Sequence, residues 1–250
     1  MRYSIVIPAY NESRRIEPTL RKVLAYVRSQ GGDAEVIVVN DGSRDNTADI
    51  VRGYAEQNSA LRLIENPGNR GKGFSVRNGM QHARGDIVLF SDADLSAPIE
   101  ESRNLFRAIS AGADVTIGSR WLRPELQIDR QSFPRQLFGR GFNLALRLVL
   151  GLRFKDTQCG FKAFSRRAVD SLFPLQRIER WGFDPELIFL AEKKGLKVVE
   201  VPVRWGHEKG GSIHPLRDGL RMLFEVLKVR WYWATGKYSS RTESPFEATS

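Results

Sequence analysis

Cysteine occurs once in these 250 residues, at position 159. A single thiol excludes an internal disulfide framework and fits a reducing compartment, with a buried apolar side chain as its expected role. Long hydrophobic runs are also missing. The longest, such as LALRLVLGL at 144–152, are interrupted by Arg147 and fall far short of the ~20 apolar residues that a membrane-spanning helix needs. The start, MRYSIVIPAYNES, passes directly into a strand-like SIVIP without the apolar core of a signal peptide, so no secretion signal is expected. Internal repeats and low-complexity linkers are absent, apart from a polar tail from Ser239 that reads as disordered. Acidic residues are in the minority, 29 against 39 Lys and Arg, giving a formal charge of +10. Such a surface attracts nucleic acid, acidic lipid or phosphorylated substrates. No nucleic-acid-binding motif is recognisable, and the basic residues lie beside apolar rather than stacking-rich segments.

What is present is a chain 41% apolar, enough for one large domain with a sizeable core. Its first 120 residues alternate short Val- and Ile-rich runs with amphipathic segments. The runs are SIVIP (4–8), EVIVVN (35–40), LRLIEN (61–66), DIVLFSD (86–92) and DVTIGS (114–119). Between them Ile16, Leu20, Val23, Leu24 and Val27 recur at helical spacing, and DNTADIVRGYAEQ, GKGFSVRNGMQHA and PIEESRNLFRAISA read as helices of similar length. This predicts a doubly wound α/β domain with a mostly parallel sheet.

In an open α/β sheet, ligands bind beyond the carboxyl ends of the strands. The segments expected there are PAYNE, NDGSRDNT, NPGNRGKG and SDADLSAP. Asp92 and Asp94, at a strand exit, suit a hard divalent ion such as Mg²⁺ or Mn²⁺ shared with substrate phosphates. The same spacing also suits an Asx turn before the helix near Pro98. Gly-rich NRGKG, with Arg70 and Lys72 at a helix start, suits a diphosphate, although it lacks the Walker and Rossmann spacings and equally fits a solvated basic turn. Asp41 is a candidate for a ribose or base contact, or for the cap of the helix near Asn46.

Together these four loops resemble the nucleotide-sugar-binding half of the family 2 glycosyltransferases, with the GT-A fold. Later segments, GSRW (118–121), DTQCGFKAFSR (156–166) and RWGFDPELIFLAE (180–192), look like the polyprenyl- or dolichyl-phosphate β-glucosyltransferases, with dolichyl-phosphate mannose synthases as near relatives. The resemblance implies that residues 1–213 form the GT-A domain, 1–120 binding the nucleotide sugar and 121–213 the acceptor. It implies that Pro8, Tyr10, Glu12 and Asp41 hold the nucleoside, Asp92 and Asp94 the metal, and Lys72 the diphosphate. Arg120 falls near the reacting phosphates, and Arg135 and Arg140 are candidates for the acceptor phosphate. Ser96 stands where mannose synthases often carry Gln. Ile213 follows Ser212 where the family often carries Lys, which moves a phosphate contact to His207 or Lys209.

The activity so implied is inverting transfer of glucose from UDP-glucose to a polyprenyl phosphate. GDP-mannose as donor, or nucleotide-sugar binding without catalysis, are the alternatives. A phosphate monoester with a second pKa of about 6 is largely ionised at neutral pH and needs no strong base. A hydroxyl acceptor would need one, with Asp184 or Glu186 of FDPEL as candidates; both also suit a helix N-terminus. Gln158 and Lys162 are candidates to reach substrate, and Cys159, Gly160 and Phe161 to shape the pocket floor.

From Arg120 to Arg153, seven arginines face only Glu125 and Asp129. At 214–238, Leu216, Leu220, Leu223, Phe224, Leu227 and Trp231 share one helical face, with Arg217, Arg221 and Lys228 opposite. Both segments suit an anionic lipid surface; packing onto the core or a partner chain is the other reading of the second. The expectation is a peripheral enzyme on the cytoplasmic face of a membrane.

Overall fold

Strand β1 (Tyr3–Ala9) and strand β2 (Ala34–Asn40) are short runs of β-branched residues buried on both faces, as the inner strands of a parallel sheet must be. In this computed structural model, which describes residues 2–31, 33–127, 133–206 and 215–239, with side chains for all but 133–140 and 215–218, they lie near the middle of a seven-stranded sheet ordered β3-β2-β1-β4-β6-β5-β7. Strands β3 (Leu61–Glu65), β4 (Ile87–Ser91), β5 (Val115–Ser119) and β7 (Val198–Pro202) run parallel to them; β6 (Phe161–Ser165) inserts antiparallel between β4 and β5. The mixed, mostly parallel α/β fold expected from the sequence is the fold observed.

Alternate residues of each strand feed two separate cores. Ile5, Ile7, Val36, Val38 and Leu89 pack with helices α1 (Ile16–Ser29) and α4 (Ser102–Ser110), through Leu20, Val23, Val27, Leu105 and Phe106. Val6, Ile37, Val39, Val88 and Phe90 pack on the other face with α3 (Lys72–His82), α6 (Arg166–Leu172) and α7 (Phe183–Lys193). Helix α2 (Thr47–Gln57) flanks β3. The five strands read from the first 120 residues all form, within two residues of their expected limits. The expected tail lies outside the described residues beyond Ser239, while Lys237–Ser239 form a 3-10 turn with Tyr238 buried.

Helices α5 (Phe133–Leu150) and α8 (Pro215–Ala234) pack on each other beside α7. Helix α8 turns Val226 and Val229 inward, while Leu220, Phe224, Leu227 and Trp231 are exposed. Of the apolar stripe read from the sequence, Leu223 packs against the core, while these four residues face solvent. Leu216 and Arg217 of that helix lie outside the described side chains.

Glu186, a candidate base on sequence grounds, is fully buried inside α7. It accepts hydrogen bonds from the backbone N–H groups of Arg177 (2.9 Å) and Ile178 (3.0 Å) and from the Tyr238 hydroxyl (2.6 Å), tying the Lys237–Ser239 turn to the loop before α7. Burial pushes its carboxyl up from the ordinary 4.5 to about 7, against the opposing effect of those bonds. The folded state then holds this proton more tightly than the unfolded chain. Glu186's contribution is fully present below pH ~4.5 and is lost as pH rises through about 7. Urea denaturation of the wild type and Glu186→Gln between about pH 5 and pH 8 should show the wild type losing up to ~3 kcal/mol relative to the variant.

Candidate functional site

All the parallel strands present their carboxyl ends at one edge, and the loops leaving β1, β2, β3 and β4 enclose a cavity of about 360 Å³ there. It is lined by Pro8, Tyr10, Glu12, Asp41, Lys72, Asp92 and Asp94, seven of the sequence candidates, joined by Arg15, Asn69, Ser75, Arg180 and Trp181.

Lys72 opens α3, where Gly71, at φ 110°, makes the turn into the helix. That conformation favours glycine, and a Cβ there would also lie 2.5 Å from the carbonyl oxygen of Glu179. The Lys72 ammonium sits 2.6 Å from Asp92 Oδ1 and over the rings of Phe90 (5.3 Å) and Trp181 (5.2 Å). Burial alone would lower the lysine's pKa, but Asp92 and Asp184 outweigh it and hold the ammonium above its ordinary value. Asp92 is moved up by burial and by Asp94, against the pull of Lys72. Its backbone N–H donates to the carbonyl of Gly160 at 3.1 Å, and a Cβ on Gly160 would lie 2.0 Å from Asp92 Oδ2. The antiparallel strand β6 thus begins from a residue that leaves room for this carboxylate.

Asp94 Oδ1 accepts from the Ser96 N–H at 2.9 Å, so the Asx turn weighed against a metal role is present at Asp94, while Asp92 is the ion-paired member. Leu95, between Asp94 and Ser96, adopts φ 48°. Two carboxylates at the cavity wall suit a hard ion that keeps water and phosphate in its shell. Among the described residues no group of three or more His, Cys, Asp or Glu is arranged to hold a metal by itself.

Asp41 lines the cavity and does not cap the helix near Asn46. Its oxygens accept from Asn66 Nδ2 (2.8 Å) and the N–H groups of Arg70 (2.9 Å) and Gly71 (2.8 Å), so it folds the Gly-rich loop against β2 while lining the cavity. Glu12 is gripped by Arg15 through two hydrogen bonds, of 2.7 and 3.0 Å, and burial raises its carboxyl.

Other candidates lie outside this cavity lining. Arg120 directs its fork at Asp156 (2.7 and 2.8 Å), its backbone N–H at the same carboxylate (3.0 Å), and its guanidinium lies over Trp205 at 5.0 Å. Its charge is held on by Asp156 against burial. Asp184 pairs with Lys162, whose fully buried ammonium also donates to the carbonyl of Cys159 at 2.6 Å. Lys162 therefore cannot reach substrate, a correction to the sequence expectation. Burial also moves the Cys159 thiol far above its ordinary range, in keeping with a packing role. Gln158 is turned toward Met222 Sδ on α8. Arg135, Arg140, His207 and Lys209 lie outside the described side chains.

Asp156 and Trp181 were not assigned these positions from the sequence, and Gly160, expected at the pocket floor, was not matched to Asp92. Their only local signal is membership of DTQCGF and RWGF. Replacing Gly160 by Ala should crowd the Asp92 carboxylate and lower stability by about 1–3 kcal/mol, measured by urea denaturation, with the far-ultraviolet circular dichroism unchanged.

The model of the family described as "Glycosyl transferase family 2" matches residues 4–173. Among curated proteins, the chain is 36% identical to dolichyl-phosphate beta-glucosyltransferase ALG5C of Trichomonas vaginalis, over 96% of this chain and 74% of that protein. It is 38% identical to the dolichyl-phosphate beta-glucosyltransferase of Drosophila melanogaster, over 88% of this chain and 71% of that one. Among solved structures it shares its fold with glucosyl-3-phosphoglycerate synthase of Mycobacterium tuberculosis, crystallised with Mn²⁺, UDP-glucose and glycerol 3-phosphate. There the TM-score is 0.64 and the identity 22%, covering 92% of this chain and 78% of that one. With the family model spanning the strands and loops that build the cavity, and relatives aligned over most of the chain, this protein belongs to glycosyl transferase family 2.

Proposed function

We propose that this chain is an inverting, metal-dependent glucosyltransferase that moves glucose from UDP-glucose to a dolichyl-type polyprenyl phosphate. One observation carries the reading: Lys72, Asp92 and Asp94 converge in a single cavity at the carboxyl edge of the sheet, in a chain similar over most of its length to dolichyl-phosphate glucosyltransferases.

Tyr10 and Pro8 offer the nucleoside a partly apolar wall beside Glu12 and Arg15. Asp92 and Asp94 would hold a divalent ion, which when bound supplies positive charge to the donor's diphosphate. Lys72 supplies a fixed ammonium at the same place, stabilising the charge that develops as UDP departs. The bond from the anomeric carbon to the diphosphate oxygen breaks, and a bond to an acceptor phosphate oxygen forms on the opposite face, so an α-linked donor yields a β-linked product. An acceptor phosphate is already ionised and brings no proton to remove. The pairing of Asp184 with Lys162 and the burial of Glu186 support an acceptor of that kind over a sugar hydroxyl.

A donor panel incubated with Mn²⁺ or Mg²⁺ and a short polyprenyl phosphate, with product mass and anomeric configuration read out, tests the proposal. A β-glucosyl phosphate product from UDP-glucose is expected, and Asp94→Ala should reduce its rate at least ~100-fold. Transfer from GDP-mannose alone would replace the sugar and nucleotide, and undiminished transfer by the variant would overturn the metal role.

The same proposal extends to the cytoplasmic face of a membrane. Leu148 on α5 is 74% exposed and Phe224 on α8 is 64% exposed, with Leu144, Leu220, Leu227 and Trp231 also open to solvent. Exposed Arg221, Lys228 and Arg230 accompany them on α8, which suits the anionic lipids of that leaflet. No described helix is long and apolar enough to cross a membrane. The chain should pellet with anionic vesicles and less with neutral ones, and a Leu148→Asp/Phe224→Asp double variant should stay in the supernatant. Equal failure of the wild type on both vesicles would sink the idea.

A further inference from the structure

Residues 178–182, which carry Arg180 and Trp181 to the cavity wall, are clamped from two sides. On one side lies the first turn of α3. The Phe74 N–H donates to the carbonyl of Glu179 at 3.0 Å, and a Cβ on Gly73 would lie 2.6 Å from the carbonyl oxygen of Ile178 and 2.9 Å from that of Arg180. On the other side lies α8. The Gly182 N–H donates to Glu225 Oε2 at 2.7 Å, and a Cβ on Gly182 would lie 2.8 Å from Glu225 Cβ.

Gly182 is the N-cap of α7, and that helix has no side-chain cap of its own. In many helices a Glu in the first turn reaches back to the N-cap N–H. Here Glu225 makes that bond from another helix, and its negative charge suits the positive end of α7. Directly before Gly182, the Trp181 ring stands 5.2 Å from the Lys72 ammonium. Glu225 is thus one hydrogen bond away from the wall that faces Lys72.

We propose that Glu225 is a positioning residue for the donor end of the pocket: its carboxylate fixes the Arg180 and Trp181 wall against Lys72 and joins α8 to the donor site. The assignment rests on the nucleotide-sugar reading above. It makes helix α8, whose outer side is the exposed apolar face, part of the machinery that shapes the pocket.

The test uses the full chain as wild type, Glu225→Ala, Glu225→Gln, Trp181→Ala and the Glu225→Ala/Trp181→Ala double variant. Donor KM and kcat are measured with whichever nucleotide sugar the wild type turns over, so a wrong sugar would overturn the glucosyl reading while leaving this comparison intact. The dissociation constant for UDP with Mn²⁺, by calorimetry, gives the same comparison without turnover. Glu225→Ala should raise donor KM about tenfold, the loss expected for one charge-assisted hydrogen bond that holds a binding wall. Glu225→Gln, which keeps an oxygen to accept from Gly182, should stay within about twofold of the wild type. In the Trp181→Ala background the Glu225→Ala effect should largely vanish. A purely stabilising role would lower the melting temperature and the active fraction, and hence kcat, without moving KM. An unchanged KM and UDP affinity in Glu225→Ala, or a full tenfold effect in the Trp181→Ala background, would overturn the proposal.

Discussion

The 2.6 Å ion pair between Lys72 and Asp92 is the contact around which the site is arranged. Its two members come from different layers, the lysine from the first turn of a helix on one face and the aspartate from the end of a central strand. A carboxylate in so buried a place is costly without a partner, and Lys72 supplies the opposite charge. The pair also requires space, which Gly160 gives by having no side chain where Asp92 Oδ2 lies. The antiparallel strand that interrupts the sheet therefore serves the site: Gly160, just before it, anchors Asp92 through the backbone and yields the volume its carboxylate fills.

The charged residues at this edge divide into two kinds. Arg120 with Asp156, and Lys162 with Asp184, have their hydrogen bonds met largely within the protein, and three of the four side chains are almost completely buried. Removing one partner of such a pair leaves an uncompensated buried charge, so these pairs hold the frame together. Lys72, Asp92, Asp94 and Glu12 line the cavity instead, where the ammonium can engage an incoming anion and the carboxylates a cation. Helix α8 connects with both sides of this frame, through Glu225 at Gly182 and Met222 at Gln158, while presenting Phe224 and Trp231 outward. Its amphipathic sequence is thus used twice, with a polar residue on the inner side reaching the pocket wall.

Much of the candidate site was legible before any coordinates. Pro8, Tyr10, Glu12, Asp41, Lys72, Asp92 and Asp94 all end or follow strand-like runs, and parallel strands bring such residues to one edge. The hydrogen-bond partners of Asp41, Arg120 and Asp184 were not legible, because they are remote in the chain: Asn66 for the first, Asp156 for the second, Lys162 for the third. Trp181 went unassigned, and the contact of Gly160 with Asp92 unforeseen, for a related reason. A tryptophan or a glycine carries no chemical signature of its own, and its place over a lysine or beneath a carboxylate follows from packing. Along α8 the apolar stripe was read correctly, but periodicity cannot tell a face that meets the core from one that meets solvent.

The sequence by itself determined the alternation of strands and helices, the turns at Gly71 and Asp94, and the set of polar loops that share one edge. These depend on neighbours in the chain, through side-chain period, backbone freedom and local hydrogen bonding. Only the tertiary structure decided which charges are paired within the frame and which line the cavity, that β6 runs against its neighbours, and that Glu225 reaches the end of α7. Those outcomes depend on distances between residues far apart in sequence, such as Gly182 and Glu225, which are set by packing of the whole chain.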